Sequence, residues 1–413
     1  MTDPVTIGNA TLYCGDCRSV LTTLAPDSID AVVTDPPYHL TSIVKRFANA
    51  SADREQYAAT SNSAYMSRGF MGKTWDGGAV AFDPDTWRAV YRVLKPGAHL
   101  VACGGTRTYH RMACAIEDAG FEIRDTISWL YGSGFPKSRN IGKGWGTALK
   151  PACELIVLAR KPLSEGTVAA NVLRWGTGAI NVDGCRVPGA FESGWSQSGS
   201  KAGKNTCMSG PNYARDPKPD NSVGRWPANV AHDGSDEVTA AFPDVHSAGA
   251  SCGPKFEGGN PNGVAYKHGG NGFRIGDDSG SAARFFYTAK ADADDRLGSR
   301  HPTVKPLDLM QWLVRLVTPK GGTVLDPFAG TGTTGEAAWR EGMRAVLIEA
   351  EPEYQADIRR RMALVLAGPD ERMRESIKAK NLPRDDGPLF ATRDATWSDM
   401  WAKPFDFSKE PQP

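Results

Sequence analysis

Val324-Leu325-Asp326-Pro327-Phe328-Ala329-Gly330-Thr331-Gly332-Thr333-Thr334-Gly335 is the stretch that decides the fold. It reads as a short apolar strand over 322–326, a tight glycine turn, and a helix over 335–341. The turn has the spacing Gly-x-Gly-x-x-Gly, and Glu349 ends the next strand about twenty residues on. By spacing alone this is a dinucleotide fingerprint. The glycines let a ligand reach the backbone, and the acid accepts from ribose hydroxyls. Asp326 argues against a dinucleotide, because a carboxylate at the strand end repels a pyrophosphate. No Gly-Lys-Ser/Thr follows, which excludes a P-loop. The turn therefore suits a nucleoside that carries cationic groups and no phosphate.

Outward from the turn, strand and helix patterns alternate on both sides. Upstream, strands are expected at 10–14, 29–34, 99–103, 120–129 and 155–159, and helices at 18–24, 85–94 and 109–119. Downstream, a strand at 344–349 is followed by a helix at 352–367, and a helix at 307–317 precedes the turn. This order predicts an α/β fold, a mostly parallel sheet with helices on both faces. From 187 to 280 the composition shifts to Gly, Ser, Asn and Pro. That is too long for a bare connector, and only an island at 225–243 has a strand and helix pattern. The chain thus divides into 1–186, an irregular insertion at 187–280, 281–367, and a charged, loose tail at 368–413. The expectation is that the two α/β blocks supply the sheet and the insertion supplies almost none of it.

The strand at 29–34 runs into Asp35-Pro36-Pro37-Tyr38. In an open parallel sheet, ligands bind beyond the carboxyl ends of the strands, so this segment should face the same pocket as the glycine turn. An exocyclic amine on a nucleobase is a poor nucleophile, because its lone pair is delocalised into the ring. Two acceptors aimed at its N–H bonds draw the nitrogen toward sp³ character. The Asp35 carboxylate and the Pro36 carbonyl are suited to that task, Pro36-Pro37 stiffens the turn, and Tyr38 offers a stacking face. Methyl transfer from the sulfonium of S-adenosylmethionine then needs neither a covalent intermediate nor a metal.

In combination and order, these motifs resemble the beta-class amino DNA methyltransferases of phages and prophages. In that class the catalytic motif comes first, target recognition lies in the middle, and the cofactor motif comes last. The likeness covers roughly 10–365 and includes His301-Pro302-Thr303-Val304-Lys305-Pro306, Leu94-Lys95-Pro96-Gly97 and Gly134-Phe135-Pro136-Lys137-Ser138. It implies a Rossmann-like methyltransferase sheet in circularly permuted motif order and S-adenosylmethionine as cofactor. It also implies site-specific methylation of adenine N6 in flipped-out DNA, since Asp rather than Ser precedes Pro-Pro-Tyr. Residue by residue, it assigns Asp35, Pro36, Pro37 and Tyr38 to the target base. Phe328, Gly330 and Gly332 wrap the cofactor beside Asp326. Thr331 and Thr333 take its methionine end, and Glu349 takes its ribose. Asp16 contacts its adenine, while Thr303 and Lys305 line its amino-acid end. The family's Glu-x-Asp is here Glu349-Ala350-Glu351, which leaves Glu351 as a rival.

Reaching a base inside duplex DNA requires flipping it and clamping the backbone. Lys137, Arg139 and Lys143 lie in an acid-free stretch with Phe135 and Trp145, and Arg225 and Trp226 lie in the insertion; these are the expected DNA contacts. The net charge of +1 gives no basic excess, so any basic surface is local. Cys14 and Cys17 have C-x-x-C spacing without a second ligand pair, so no metal is expected. With neither a signal peptide nor an apolar run of about 18 residues, a cytoplasmic location without membrane partners is expected. A homodimer and a cognate restriction endonuclease stay open as partners. Two rival activities stay open as well: N4-cytosine methylation on the same scaffold, and an NAD-dependent oxidoreductase that would leave Asp35 to Tyr38 unexplained.

Overall fold

The computed structural model describes residues 3–38, 80–132, 134, 140–142, 145–188, 224–246, 279–289, 293–299, 301 and 303–381. The sequence-predicted DNA contacts Lys137, Arg139 and Lys143 fall outside these residues.

The chain opens with β1 (Val5–Ile7), β2 (Ala10–Cys14), α1 (Cys17–Thr23) and β3 (Ile29–Thr34). Then come α2 (Pro84–Val93), β4 (Leu94–Gly104), α3 (Tyr109–Asp118) and β5 (Glu122–Leu130). After the short pair β6 (Asn140–Gly142) and β7 (Trp145–Gly146) follow β8 (Cys153–Arg160) and α4 (Val168–Trp175). The middle supplies β9 (Val230–His232), α5 (Asp236–Thr239), β10 (Asp244–His246), β11 (Ser279–Ser281) and β12 (Tyr287–Thr288). The chain continues through α6 (Leu307–Val317), β13 (Thr323–Asp326), α7 (Thr333–Arg340), β14 (Arg344–Glu349), α8 (Pro352–Ala367) and α9 (Pro369–Asn381).

Among the described residues, a ten-stranded sheet has the order β1-β2-β14-β13-β3-β4-β8-β5-β9-β12. The run β2-β14-β13-β3-β4 is parallel throughout. β8 lies antiparallel between β4 and β5, β1 is antiparallel to β2, and β9 joins β5 in parallel. The sheet is therefore mostly parallel, as expected, with β1 and β8 as the antiparallel strands.

Every residue of β3 is buried, because helices cover both faces. Ala31 and Val33 point into a core with Leu309, Trp312 and Leu313 of α6. Val32 points into the opposite core, with Trp87 and Val90 of α2 and Ile116 of α3. Local signals place the helix starts. Asp16 caps α1, accepting from the backbone N–H of Arg18, and Asp83 caps α2 ahead of Pro84 at its first turn.

The island at 225–243 forms a strand and a helix, as its pattern suggests. It is the insertion's one contribution to the ten-stranded sheet among the described residues: β9 sits between β5 and β12, Ala231 is fully buried, and Arg225 pairs its backbone with Val187. The tail differs from the expectation, since it is not loose from 368 onward: α9 packs back on α8 and α7. There, Arg372 Nε donates to the buried Glu336 at 2.8 Å. That anchor depends on a partner 36 residues away.

Candidate active site

Five parallel strands end on one edge of the sheet, and the chemistry-bearing residues follow their ends in spatial order. β2 ends at Asp16, β14 at Glu349, β13 at the 326–332 turn, β3 at Asp35 to Tyr38, and β4 at Gly104-Gly105. Thr34 Oγ1 donates to Asp326 Oδ1 at 2.7 Å and so ties the end of β3 to the glycine turn.

Asp326 is 3% exposed, and its carboxylate also accepts from Phe328 N at 3.1 Å and Thr334 Oγ1 at 2.5 Å. Its oxygens hold the turn together from within. Burial pushes its carboxyl up to about 6 against those hydrogen bonds. Gly330 (φ +52°) and Gly332 (φ +80°) have left-handed backbones, and a Cβ at Gly332 would lie 3.1 Å from Ile358 Cγ1. Thr331 and Thr333 are buried, with their hydroxyls 3.5 Å apart, and Arg361 Nε donates to the Thr331 carbonyl at 2.9 Å. Phe328 packs partly buried on the α2–α3 side of the sheet.

Glu349 is 9% exposed. Its Oε2 accepts from Gly330 N and its Oε1 from Glu351 N, both at 2.8 Å. Each oxygen keeps a second lone pair, so two vicinal hydroxyls can be received side by side. Burial pushes Glu349 up to about 7; the two backbone N–H groups oppose this, and the charges of Asp326 and Glu351 add to it. Glu351 lies one turn out, before α8, and gives its backbone N–H to Glu349. Asp16 is exposed, at the head of α1, and pairs with Arg18 at 3.3 Å.

The Asp35 cluster is the densest polar group on this edge. Tyr38 OH donates to Asp35 Oδ1 at 2.8 Å. Lys305 Nζ donates to Asp35 Oδ2 at 2.8 Å, to Tyr38 OH at 2.9 Å and to Glu154 Oε1 at 2.8 Å. The Tyr38 hydroxyl also makes a short contact with Glu154 Oε1. The Tyr38 ring lies over Gly105, where a Cβ would sit 3.1 Å from Cδ2, so glycine gives the ring its seat. Burial raises the Tyr38 phenol and the neighbouring Cys103 thiol well above their usual ranges, so both stay neutral. Burial alone would lower Lys305, but the charges of Asp35 and Glu154 outweigh it and hold the ammonium above the ordinary lysine value.

Lys305 thus stands with the Asp35 group, whereas the family likeness set it at the cofactor's amino-acid end. Thr303 beside it is exposed. Glu154 and Cys103 were missed by the sequence reading. The available signal was an acid at the head of the apolar strand Cys153–Arg160. In the middle of the chain, Arg225 lays its guanidinium 3.9 Å from the centre of the Phe285 ring, while Trp226 is 62% exposed with Arg186 beside it.

A crescent of strand-end acids, a left-handed glycine turn and Asp-Pro-Pro-Tyr one strand away suit a cationic nucleoside cofactor and an amine acceptor. The sequence model of the N6/N4 DNA methylase family matches residues 29–360, most of the chain.

The chain belongs to the N6/N4 DNA methylase family.

This is a family of S-adenosylmethionine-dependent methyltransferases. The type II methyltransferase M2.DpnII of Streptococcus pneumoniae is 41% identical over 68 residues, 16% of this chain and 25% of that protein. M.HindIII of Haemophilus influenzae is 25% identical over 198 residues, 41% of this chain and 64% of that protein. The matched segments therefore span between a quarter and just under two thirds of these relatives. The cytosine-N4-specific PvuII DNA methyltransferase aligns over 91% of this chain and 94% of its own, with 16% identity and a TM-score of 0.45. Among the described residues, no helix is long and apolar enough to cross a membrane.

Proposed function

We propose that this protein methylates the exocyclic N6 of adenine in double-stranded DNA at a specific site, with S-adenosylmethionine as donor. The observation that carries the reading is the placement of Asp35. Its carboxylate stands at the end of β3, one strand from the glycine turn on β13, oriented by Tyr38 and Lys305 and still partly open to solvent. Each of its oxygens keeps a lone pair for an incoming N–H.

The cofactor pocket fits the donor by its own geometry. Left-handed Gly330 and Gly332 allow close approach, Glu349 offers paired acceptors for a ribose, and buried acids favour a cation over a phosphate. When bound, S-adenosylmethionine supplies an electrophilic methyl group. Asp35 and the Pro36 carbonyl accept the two N–H bonds of the target amine and leave its lone pair directed at that methyl. Tyr38 stacks the flipped base while its hydroxyl, tied to Asp35, fixes the ring. Positive charge that develops on the amine meets the Asp35 carboxylate, and the methylated amine then gives up one N–H proton to the solvent that reaches Asp35. Trp226 and Arg225 are proposed to contact DNA, Trp226 through its exposed ring. This work belongs in the cytoplasm, and the type II relatives make a cognate restriction endonuclease the partner to look for.

The test is nucleoside mass spectrometry of unmethylated, mixed-sequence DNA after incubation with the protein and labelled donor. N6-methyladenine is expected. N4-methylcytosine as sole product would move the same mechanism to cytosine, and no methylation would refute the reading.

A further inference from the structure

Glu154 has no place in the proposed mechanism and Lys305 only its contact with Asp35, yet both are among the most buried charged groups at the site. Their side chains are 9% and 12% exposed, against 22% for Asp35. An ammonium has three N–H donors. Lys305 directs them at Asp35 Oδ2, Tyr38 OH and Glu154 Oε1, all at 2.8–2.9 Å, so no donor is left for a ligand. We infer that Lys305 and Glu154 are positioning residues for methyl transfer: the ammonium locks Asp35 and Tyr38 in one arrangement, and Glu154 is the second anion that keeps it there. This rests on the proposed methyltransferase reading and assigns Lys305 to the target-amine side of the site, away from the cofactor.

Three features support the assignment. Asp35 and Tyr38 lie on a turn after β3, Glu154 heads β8, and Lys305 precedes α6, so the ammonium ties together three separate parts of the fold. A carboxylate that accepts from a fixed cation and a fixed hydroxyl has little rotational freedom left, and its remaining lone pairs point in set directions. Two carboxylates against one ammonium also leave one net negative charge beside an amine that becomes positive as the methyl arrives. Asp35, Cys103 and Glu154 offer ligand atoms within 4.8 Å of one another, as a metal site would. The Lys305 ammonium, 2.8 Å from both carboxylates, already supplies the cation between them.

The groups facing Asp35 determine how a variant titrates. Tyr38 and Cys103 beside it are held neutral by burial, burial holds His301 below its ordinary value, Asp326 faces Asp35 from β13, and Tyr131, also held neutral by burial, faces Glu154. In Lys305→Met, Asp35 and Glu154 are left close together with no cation between them, so one of them takes up a proton as pH falls. In Lys305→Met/Glu154→Gln that repulsion is gone.

The experiment compares wild type, Lys305→Met and the double variant in three measurements. These are the pH profile of kcat on unmethylated mixed-sequence DNA, calorimetric affinity for S-adenosylhomocysteine, and melting temperature from about pH 5 to about pH 8. Lys305→Met should lower kcat by about 10²-fold, bind S-adenosylhomocysteine as wild type does, and gain an acid limb in its profile. The added Glu154→Gln should abolish that limb, which a packing role alone would not do. Lost affinity for S-adenosylhomocysteine with an unchanged profile would overturn the inference and return Lys305 to the cofactor. A limb that survives in the double variant would overturn it too. If wild type transfers no methyl to any DNA, the functional reading fails. The melting curves then decide this inference separately: Lys305→Met should lose stability relative to wild type as pH rises and the double variant should not, and parallel curves would refute it. If Lys305→Met does not fold, the double variant alone decides, normal affinity with kcat down about 10²-fold being the supporting result.

Discussion

Glu349→Gln is the sharpest test of the cofactor pocket. The Glu349 carboxyl is pushed up to about 7 by burial, with Asp326 and Glu351 adding to the effect. At pH 7 about half of the ligand-free molecules therefore carry a proton there. Two ribose hydroxyls donating to the carboxylate favour its ionised form, so binding at pH 7 should release about 0.5 proton. The ionised fraction rises from about 0.1 at pH 6 to about 0.9 at pH 8, so affinity for S-adenosylhomocysteine should rise roughly tenfold across that interval. Calorimetry in two buffers of different ionisation enthalpy reads the proton directly. The ligand-free protein should show the opposite trend. A carboxyl raised from 4.5 to about 7 contributes stability that is fully present below pH 4.5 and lost as pH rises through 7, on the order of 3 kcal/mol. Asp326, at about 6, titrates in the same window, but it is 3% exposed and its oxygens are held by Thr34, Thr334 and Phe328. Glu349→Gln isolates the effect: it should bind more weakly and lose both the proton release and the pH slope. PH-independent binding by wild type, or a slope that survives in Glu349→Gln, would refute the assignment of Glu349 to the ribose.

Asp35→Ala should reduce methyl transfer by on the order of 10²-fold or more with little change in S-adenosylhomocysteine affinity, checked by radiolabel transfer and calorimetry. Gly332→Ala should destabilise the fold by about 1–3 kcal/mol and weaken cofactor binding, because a left-handed residue gains a Cβ 3.1 Å from Ile358, as chemical denaturation would show. Arg361→Met should cost about 1–3 kcal/mol, read from denaturant midpoints, because it leaves the fully buried Glu336 with Arg340 and Arg372 as its only charge partners among the described residues and frees the Thr331 carbonyl. Excising 187–280 should lower the melting temperature, since it removes β9 with its buried Ala231 and uncovers the edge of β5; a variant that melts like wild type would show the insertion to be separate after all.

The sequence by itself determined the α/β class, the order of the motifs and the strands beneath them. Buried parallel strands such as 29–34 and 344–349 are near-continuous apolar runs, and Pro36-Pro37 and Gly330-Thr331-Gly332 mark where they stop. These signals are local, so they survive without a fold. The tertiary structure alone decided which side chains meet. Lys305 is 270 residues from Asp35 in the chain, and no spacing rule predicts that three donors of one ammonium converge on Asp35, Tyr38 and Glu154. Asp326 read as a residue facing the ligand, and became an internal brace once Thr34, 292 residues away, supplied a hydroxyl. α9 escaped notice for the same reason. A charged helix carries too little apolar pattern of its own, and it is held by a partner, Glu336, that only folding brings beside it.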